Sequence, residues 1–213
     1  SKTITYTQFK KHNDLNKINN IIIENLTNLE KIIDYNIKNN IHFYRLTSKL
    51  IPLSTIKELN FDYINPYIKL YKRIGNKIKK HNIRVDTHPD QFCILNSTKK
   101  EVVQNSFKIL NFNYQIIKAM HINGKIILHI GSGECGKEKA LKRFKNNFKK
   151  LDKIIRKMII LENDDKTFNV KDTLKLCEEL NIPMVLDYHH YICNNENEKI
   201  EDLHQEKKNK KLT

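Results

Sequence analysis

Acidic side chains are in short supply in this chain. Its 213 residues carry 24 Asp and Glu against 39 Lys and Arg, a formal net charge of +15. Such an excess points to a polyanionic partner, most often nucleic acid. Arginine is scarce too: only five of the basic residues are Arg, while Lys, Asn and Ile are heavily used. That bias fits AT-rich codons, which shift the choice of Lys over Arg without bearing on binding. It does not account for the shortage of Asp and Glu, so on charge alone a binding face and a plain basic surface stand level. No apolar run approaches the roughly 20 residues of a membrane helix, and no signal-peptide pattern opens the chain. The expectation is a cytoplasmic protein with no membrane partner. Cys93, Cys135, Cys177 and Cys193 form no C-x-x-C pair. This argues against a disulfide framework and for a reducing cytosol, with all four read as structural thiols. Ser1 is not an initiator Met, which suggests processing or a fragment.

What is present is a recurring unit. Short apolar, β-rich runs stop on His, Glu or Asp: Ile83 to His88, Lys125 to His129, Met158 to Glu162, and Pro183 through Asp187 to His190. A parallel sheet buries its strands on both faces, so near-continuous Ile, Val and Leu are what such strands require. Between them lie helical patterns over 14–39, 67–81, 99–121, 137–155 and 170–180. In the first, Leu15, Ile18, Ile22, Leu26, Leu29, Ile33 and Ile37 mark one buried stripe. Strands are predicted to begin near 41, 83, 125, 158 and 183, which argues for repeated βα units in a right-handed parallel arrangement. The pattern fits an open doubly wound sheet or part of an eight-stranded barrel. The core domain is placed at 1–193, followed by a charged polar tail at 194–213.

When helices return the chain, the carboxyl ends of all strands fall on one rim, and residues far apart in sequence converge there. His88, His129, Glu162, Asp187 and His190 occupy equivalent places in successive units. Each alone reads as a satisfied histidine or a helix cap; together they have the composition of a divalent-metal site. His42, His81, His121 and His204 show no such placement and are assigned nothing. Gly131 to Lys137 satisfies both G-x-G-x-x-G and G-x-x-x-x-G-K, but Glu138 stands where a phosphate loop needs Ser or Thr. A glycine-rich βα turn beside the rim is the better reading.

Five segments in order, Tyr44 to Pro52, His88-Pro89-Asp90-Gln91-Phe92, His129 to Gly133, Leu161 to Asp165 and Pro183 to His190, together resemble the UV-damage endonuclease family. The resemblance runs from about Thr3 to Glu201. It implies an α/β fold of the TIM (β/α)8-barrel type, related to the metal-dependent apurinic-site endonucleases. It further implies cleavage of the DNA backbone 5′ to photoproducts and other distorting lesions, with divalent metals, commonly Mn²⁺. By matching motif, His88, His129 and Glu162 correspond to ligands of one metal. Glu162 would be shared with a second ion that also takes Asp187, and His190 would face a third; Glu162 and Asp187 carry the catalytic assignment. Gln91 and Phe92 resemble the pair that enters the duplex at the lesion, where a ring can fill the gap of an unstacked base. For Phe92 the competing reading is a core aromatic.

The chain also departs from the family pattern. The usual first strand, and two last strands supplying another His, a Lys and a Glu, are not found, so the barrel is expected to be incomplete in this chain. On that basis its second and third metal sites look half furnished, and incision is expected to be weak. The leading reading is a monomeric, metal-dependent DNA-repair endonuclease acting on damaged double-stranded DNA. A metal-dependent sugar isomerase on a similar barrel, and a non-catalytic DNA-binding remnant, are the alternatives.

Overall fold

Side-chain caps set where the first helices begin. Thr5 and Gln8 form a reciprocal capping box over Tyr6–His12 (α1). Asp14 accepts from the N–H groups of Asn16 and Lys17 to start Leu15–Lys38 (α2). The computed structural model describes residues 1–59 and 61–195. Over them the order continues with β1 (Phe43–Leu46), 3-10 turns at Lys57–Leu59 and Asn65–Tyr67, α3 (Ile68–Lys80), β2 (Arg84–Thr87) and α4 (Lys100–Met120). Then come β3 (Ile126–His129), α5 (Lys137–Phe148), α6 (Lys153–Met158), β4 (Ile159–Glu162), α7 (Val170–Leu180), β5 (Met184–Val185) and α8 (Tyr188–Cys193). Strand order follows chain order, β1-β2-β3-β4-β5. The registered pairs are parallel: Phe43↔Arg84 through Leu46↔Thr87, Thr87↔Ile126, and Leu161↔Met184 with Glu162↔Val185. The α/β expectation is met, with five strands of the eight-stranded pattern among the described residues.

The chain divides into two compact units, Ser1–Asp90 with Lys108–Ile126, and Gln91–Phe107 with the described residues from Ile127 on. In the first unit Ile18, Ile22, Leu26 and Ile33 of α2 are buried in one core with Tyr71, Ile74 and Ile78 of α3 and with Ile116 and Met120 of α4. Each fully buried side chain of this kind contributes about 1.5–3 kcal/mol. The packing is close enough at one point to demand glycine: a Cβ on Gly75 would lie 1.8 Å from the carbonyl oxygen of Met120. In the second unit β4 is buried along its whole length, as a strand covered on both faces must be. Phe144 and Phe148 stack at 6.2 Å under α5, and Val170 and Tyr191 pack with Met184 and Leu186.

Three elements differ from the reading of the sequence. Helix α1 was not anticipated, because its seven residues carry only one buried side chain, Phe9. The helix expected over 137–155 is two, α5 and α6, with Asp152 extended between them (ψ 140°). Phe144, Phe148, Leu151 and Ile155 are all buried, so the helical spacing runs unbroken through a real break. The strand expected to reach Asp187 stops at Val185, because the Asp187 side chain accepts from the His190 N–H and starts α8 instead. Of the tail assigned to 194–213, residues 196–213 lie outside the described residues. No helix among the described residues is long and apolar enough to cross a membrane.

Candidate metal centre

In the second unit, β3 ends on His129 and β4 on Glu162. Burial of the β4 run carries Glu162 inward with it, leaving the residue 2% exposed. A carboxylate at that depth costs several kcal/mol unless donors or cations face it. The Nε2 of His129 is one facing group, 3.3 Å from the Glu162 Oε2. Two ligands of one small divalent cation sit about 3 Å apart when each bond is about 2.1 Å, so this separation suits joint ligation. Asp187 and His190 reach the same carboxylate from the turn after β5: one donor atom from each of Glu162, Asp187 and His190 lies within 4.8 Å of the others. The His129 and His190 rings are 5.4 Å apart. Two carboxylates and one imidazole, Glu162, Asp187 and His190, form a donor set suited to Mn²⁺, Zn²⁺ or a similar ion.

Local bonds fix how these donors point. The Nδ1 of His190 lies 2.9 Å from the carbonyl oxygen of Asn163. A carbonyl can only accept, so Nδ1 carries the proton and Nε2 presents its lone pair. This is the usual arrangement of a metal-binding histidine. Asp187 is the N-cap of α8, its Oδ1 accepting from the His190 N–H at 3.0 Å, which ties the spacing of the two residues to one turn. In the first unit, His88 directly follows β2. Its Nδ1 lies 2.8 Å from the Pro89 carbonyl oxygen, so the same reasoning assigns the lone pair to Nε2.

The other residues singled out in the sequence are placed as follows. Gln91 and Phe92 form an exposed turn, and Phe92 is 62% exposed, which excludes the core role. The glycine-rich segment is a turn and not a phosphate cradle. Gly131 has φ +110°, and a Cβ there would come within 2.6 Å of the Asn96 Oδ1. The Asn96 amide occupies the backbone of Ser132, and the Lys137 ammonium pairs with Asp172 at 2.8 Å. All four thiols are unbridged. Cys93 and Cys177 are buried, whereas Cys135 and Cys193 are exposed, which does not fit the structural role read for all four thiols.

Reading the sequence missed the buried amides. Asn96 and Asn163 are both wholly buried, and each follows an apolar run. The signal was available: a polar side chain that close behind a buried apolar run must find partners. Asp86 is a third case, 0% exposed and accepting from Lys125 N–H and the Arg84 guanidinium.

The family model described as UV-endonuclease UvdE matches residues 1–212. The chain belongs to the UvdE family. A UV DNA damage endonuclease of Bacillus cereus strain B4264 is 40% identical over 208 residues, which are 95% of this chain and 66% of that protein. This UvdE-family chain therefore spans slightly under two thirds of the length of the curated relatives it matches. The crystal structure of SacUVDE superposes with a TM-score of 0.92 at 34% identity, covering 99% of this chain and 72% of the other. Endonuclease IV from Thermus thermophilus shares the fold, with a TM-score of 0.54 at 11% identity over 76% of this chain and 58% of the other. The fold is thus of the TIM-barrel type, incomplete over the described residues.

Proposed function

We propose that this chain carries the metal centre of a DNA-repair endonuclease that cuts the backbone immediately 5′ to UV photoproducts and other distorting lesions. The observation that supports this reading most is the convergence of Glu162, Asp187 and His190, with His129 against Glu162, in a UvdE-family chain. His88, His129, Glu162, Asp187 and His190 are the proposed ligands of divalent ions, of which Mn²⁺ is the proposed one. A bound divalent cation would supply Lewis acidity to the phosphodiester and lower the pKa of water beside it.

The chain's own groups then do the following. Glu162 and Asp187 bring negative charge that concentrates cations at the site, and the neutral Nε2 donors of His190 and His88 complete ligand sets without adding charge. Phe92, exposed on its turn, fills the space of an unstacked base, and Gln91 hydrogen-bonds exposed base edges. Lysines, which dominate the basic excess, hold phosphates, so recognition reads deformability more than base sequence. The partner is damaged double-stranded DNA and the protein acts as a monomer in the cytoplasm. The charge and the Gln-Phe turn favour this over a sugar isomerase.

The test is incision of a duplex containing one photoproduct, with and without Mn²⁺. A weak, single Mn²⁺-dependent nick 5′ to the lesion, lost in Glu162→Gln, is the expected result. Absence of incision together with equal affinity for damaged and undamaged duplex overturns the proposal.

A further inference from the structure

Two wholly buried asparagines in the second unit make the same contact. The Asn96 Nδ2 donates to the Ser132 carbonyl at 2.7 Å while its Oδ1 accepts from the Ser132 N–H at 2.9 Å. The Asn163 Nδ2 donates to the Asp187 carbonyl at 3.0 Å while its Oδ1 accepts from the Asp187 N–H at 2.9 Å. In each case a side-chain amide takes the place of a neighbouring strand, satisfying both backbone groups of one residue beyond the end of the sheet pairing. Asn163 differs in what it grips. Its partner Asp187 is the N-cap of α8, and its own carbonyl accepts from the Nδ1 of His190. The far end of α8 is tied to the next residue: the Asn194 Nδ2 donates to the Asp164 carbonyl at 3.1 Å. Asp164 in turn accepts from the N–H groups of Lys166 and Phe168, which fixes that turn.

We infer that Asn163 is a positioning residue that locks α8 to the end of β4, so that Asp187 and His190 stand as a preset pair against Glu162, with His190 held in the Nδ1–H tautomer. The physical ground is the geometry of the three bonds. Glu162 and Asn163 are adjacent in sequence, so a clasp from Asn163 to Asp187 sets the distance between the two carboxylates through one residue of backbone. Ligands held in advance do not have to be ordered when a cation arrives. A helix as short as α8, six residues, has little stability of its own, so without the clasp its first turn and the His190 ring would sample other arrangements. This inference rests on the metal reading above, but the tautomer and the clasp can be read without any metal.

The experiment records the ring nitrogens of His190 by NMR in the metal-free protein at alkaline pH. It then titrates Mn²⁺ calorimetrically into the wild type, Asn163→Ala and Asn96→Ala. The wild type is expected to show the Nδ1–H form. Asn163→Ala should mix the tautomers, speed exchange of the Asp187 amide and weaken Mn²⁺ binding tenfold or more. Asn96→Ala, which breaks the matching clasp away from α8, should lower the melting temperature while leaving the His190 tautomer and Mn²⁺ affinity as in the wild type. An Nε2–H His190 in the wild type overturns the inference. So does an Asn163→Ala protein that melts earlier but keeps the tautomer and the affinity, because that describes a merely structural residue. Should Asn163→Ala fail to fold, Asn163→Ser keeps a neutral polar side chain too short to hold both backbone groups of Asp187. Its His190 tautomer and Asp187 exchange then decide, unchanged values counting against. Wild type that binds no Mn²⁺ defeats the metal reading, while the tautomer arm still decides the clasp.

Discussion

A phenyl ring that is 62% exposed gains little from staying where it is, since the hydrophobic term follows area removed from water. Its proposed use is at the lesion, and Phe92→Ala separates that role from a core role. Folding stability should change by no more than about 0.5 kcal/mol, as at ordinary surface positions. Preference for a photoproduct-containing duplex should fall, with salt-sensitive binding to undamaged DNA kept. Melting curves and gel shifts run together check this; a loss on the order of 3 kcal/mol would return Phe92 to the core. The thiols offer a second check at the same scale. Burial pushes the Cys177 thiol up to about 12, and Cys93 is buried as well. Only thiolate reacts, and only where reagent reaches it. Aromatic disulfide reagent at pH 8 should label Cys135 and Cys193 rapidly and the other two only on unfolding, whereas four fast thiols would contradict the burial described.

Among the elements, α2 and α3 are joined by charge as well as by their apolar stripes. Arg73 grips Glu30 with two bonds of 2.8 and 2.6 Å, and Lys77 bridges Glu30 and Asp34 at 2.9 and 2.7 Å. The Arg73 guanidinium foremost, and Lys77 after it, hold the Glu30 carboxyl below the usual carboxylate value. A carboxylate lowered in the folded state adds stability that is complete above its unfolded pKa, about 4.3. That stability is lost as pH falls through the lower folded value. Glu30→Gln should cost about 1 kcal/mol at pH 7, a modest figure because Arg73 remains mostly in water. The gap to wild type should close below about pH 4. Denaturant melts at pH 7 and pH 3 test it, and a gap that widens in acid would reverse the sign. Gly75→Ala is the steric counterpart. A Cβ 1.8 Å from a backbone oxygen cannot be relieved by a rotamer, and a loss on the order of 3 kcal/mol is expected from overpacking at this helix contact; a neutral alanine would show the helices to be less close.

It is also among the elements that the limits of the sequence lie. Strands β3 and β4 were legible because Ile and Leu run without interruption up to a His or a Glu, β1 and β2 only as short β-rich runs between helical patterns, and α2, α3, α4 and α7 because one buried stripe repeats at helical spacing. The break between α5 and α6 was not, since its buried residues keep that spacing across the gap. The end of β5 was hidden for another reason: Asp187 looked like the last residue of a strand, when its side chain was about to cap a helix. The ligand types were readable one by one at the ends of apolar runs. The clasp of Asn163 was not, because a bond between residues 24 apart leaves no periodic mark.

For the molecule as a whole, we propose that strand ends scattered through the sequence assemble a divalent-metal centre around Glu162. The +15 charge and the family bear on what that centre is for; the donor geometry bears on whether it exists. Calorimetric titration of Mn²⁺ into wild type and Glu162→Gln addresses the second question directly, because the amide keeps the shape of the carboxylate and removes its charge. Saturable binding by the wild type, at least tenfold weaker in a Glu162→Gln protein with an unchanged melting temperature, is the expected result. Equal affinity in the two proteins, or no binding by the wild type, would contradict it.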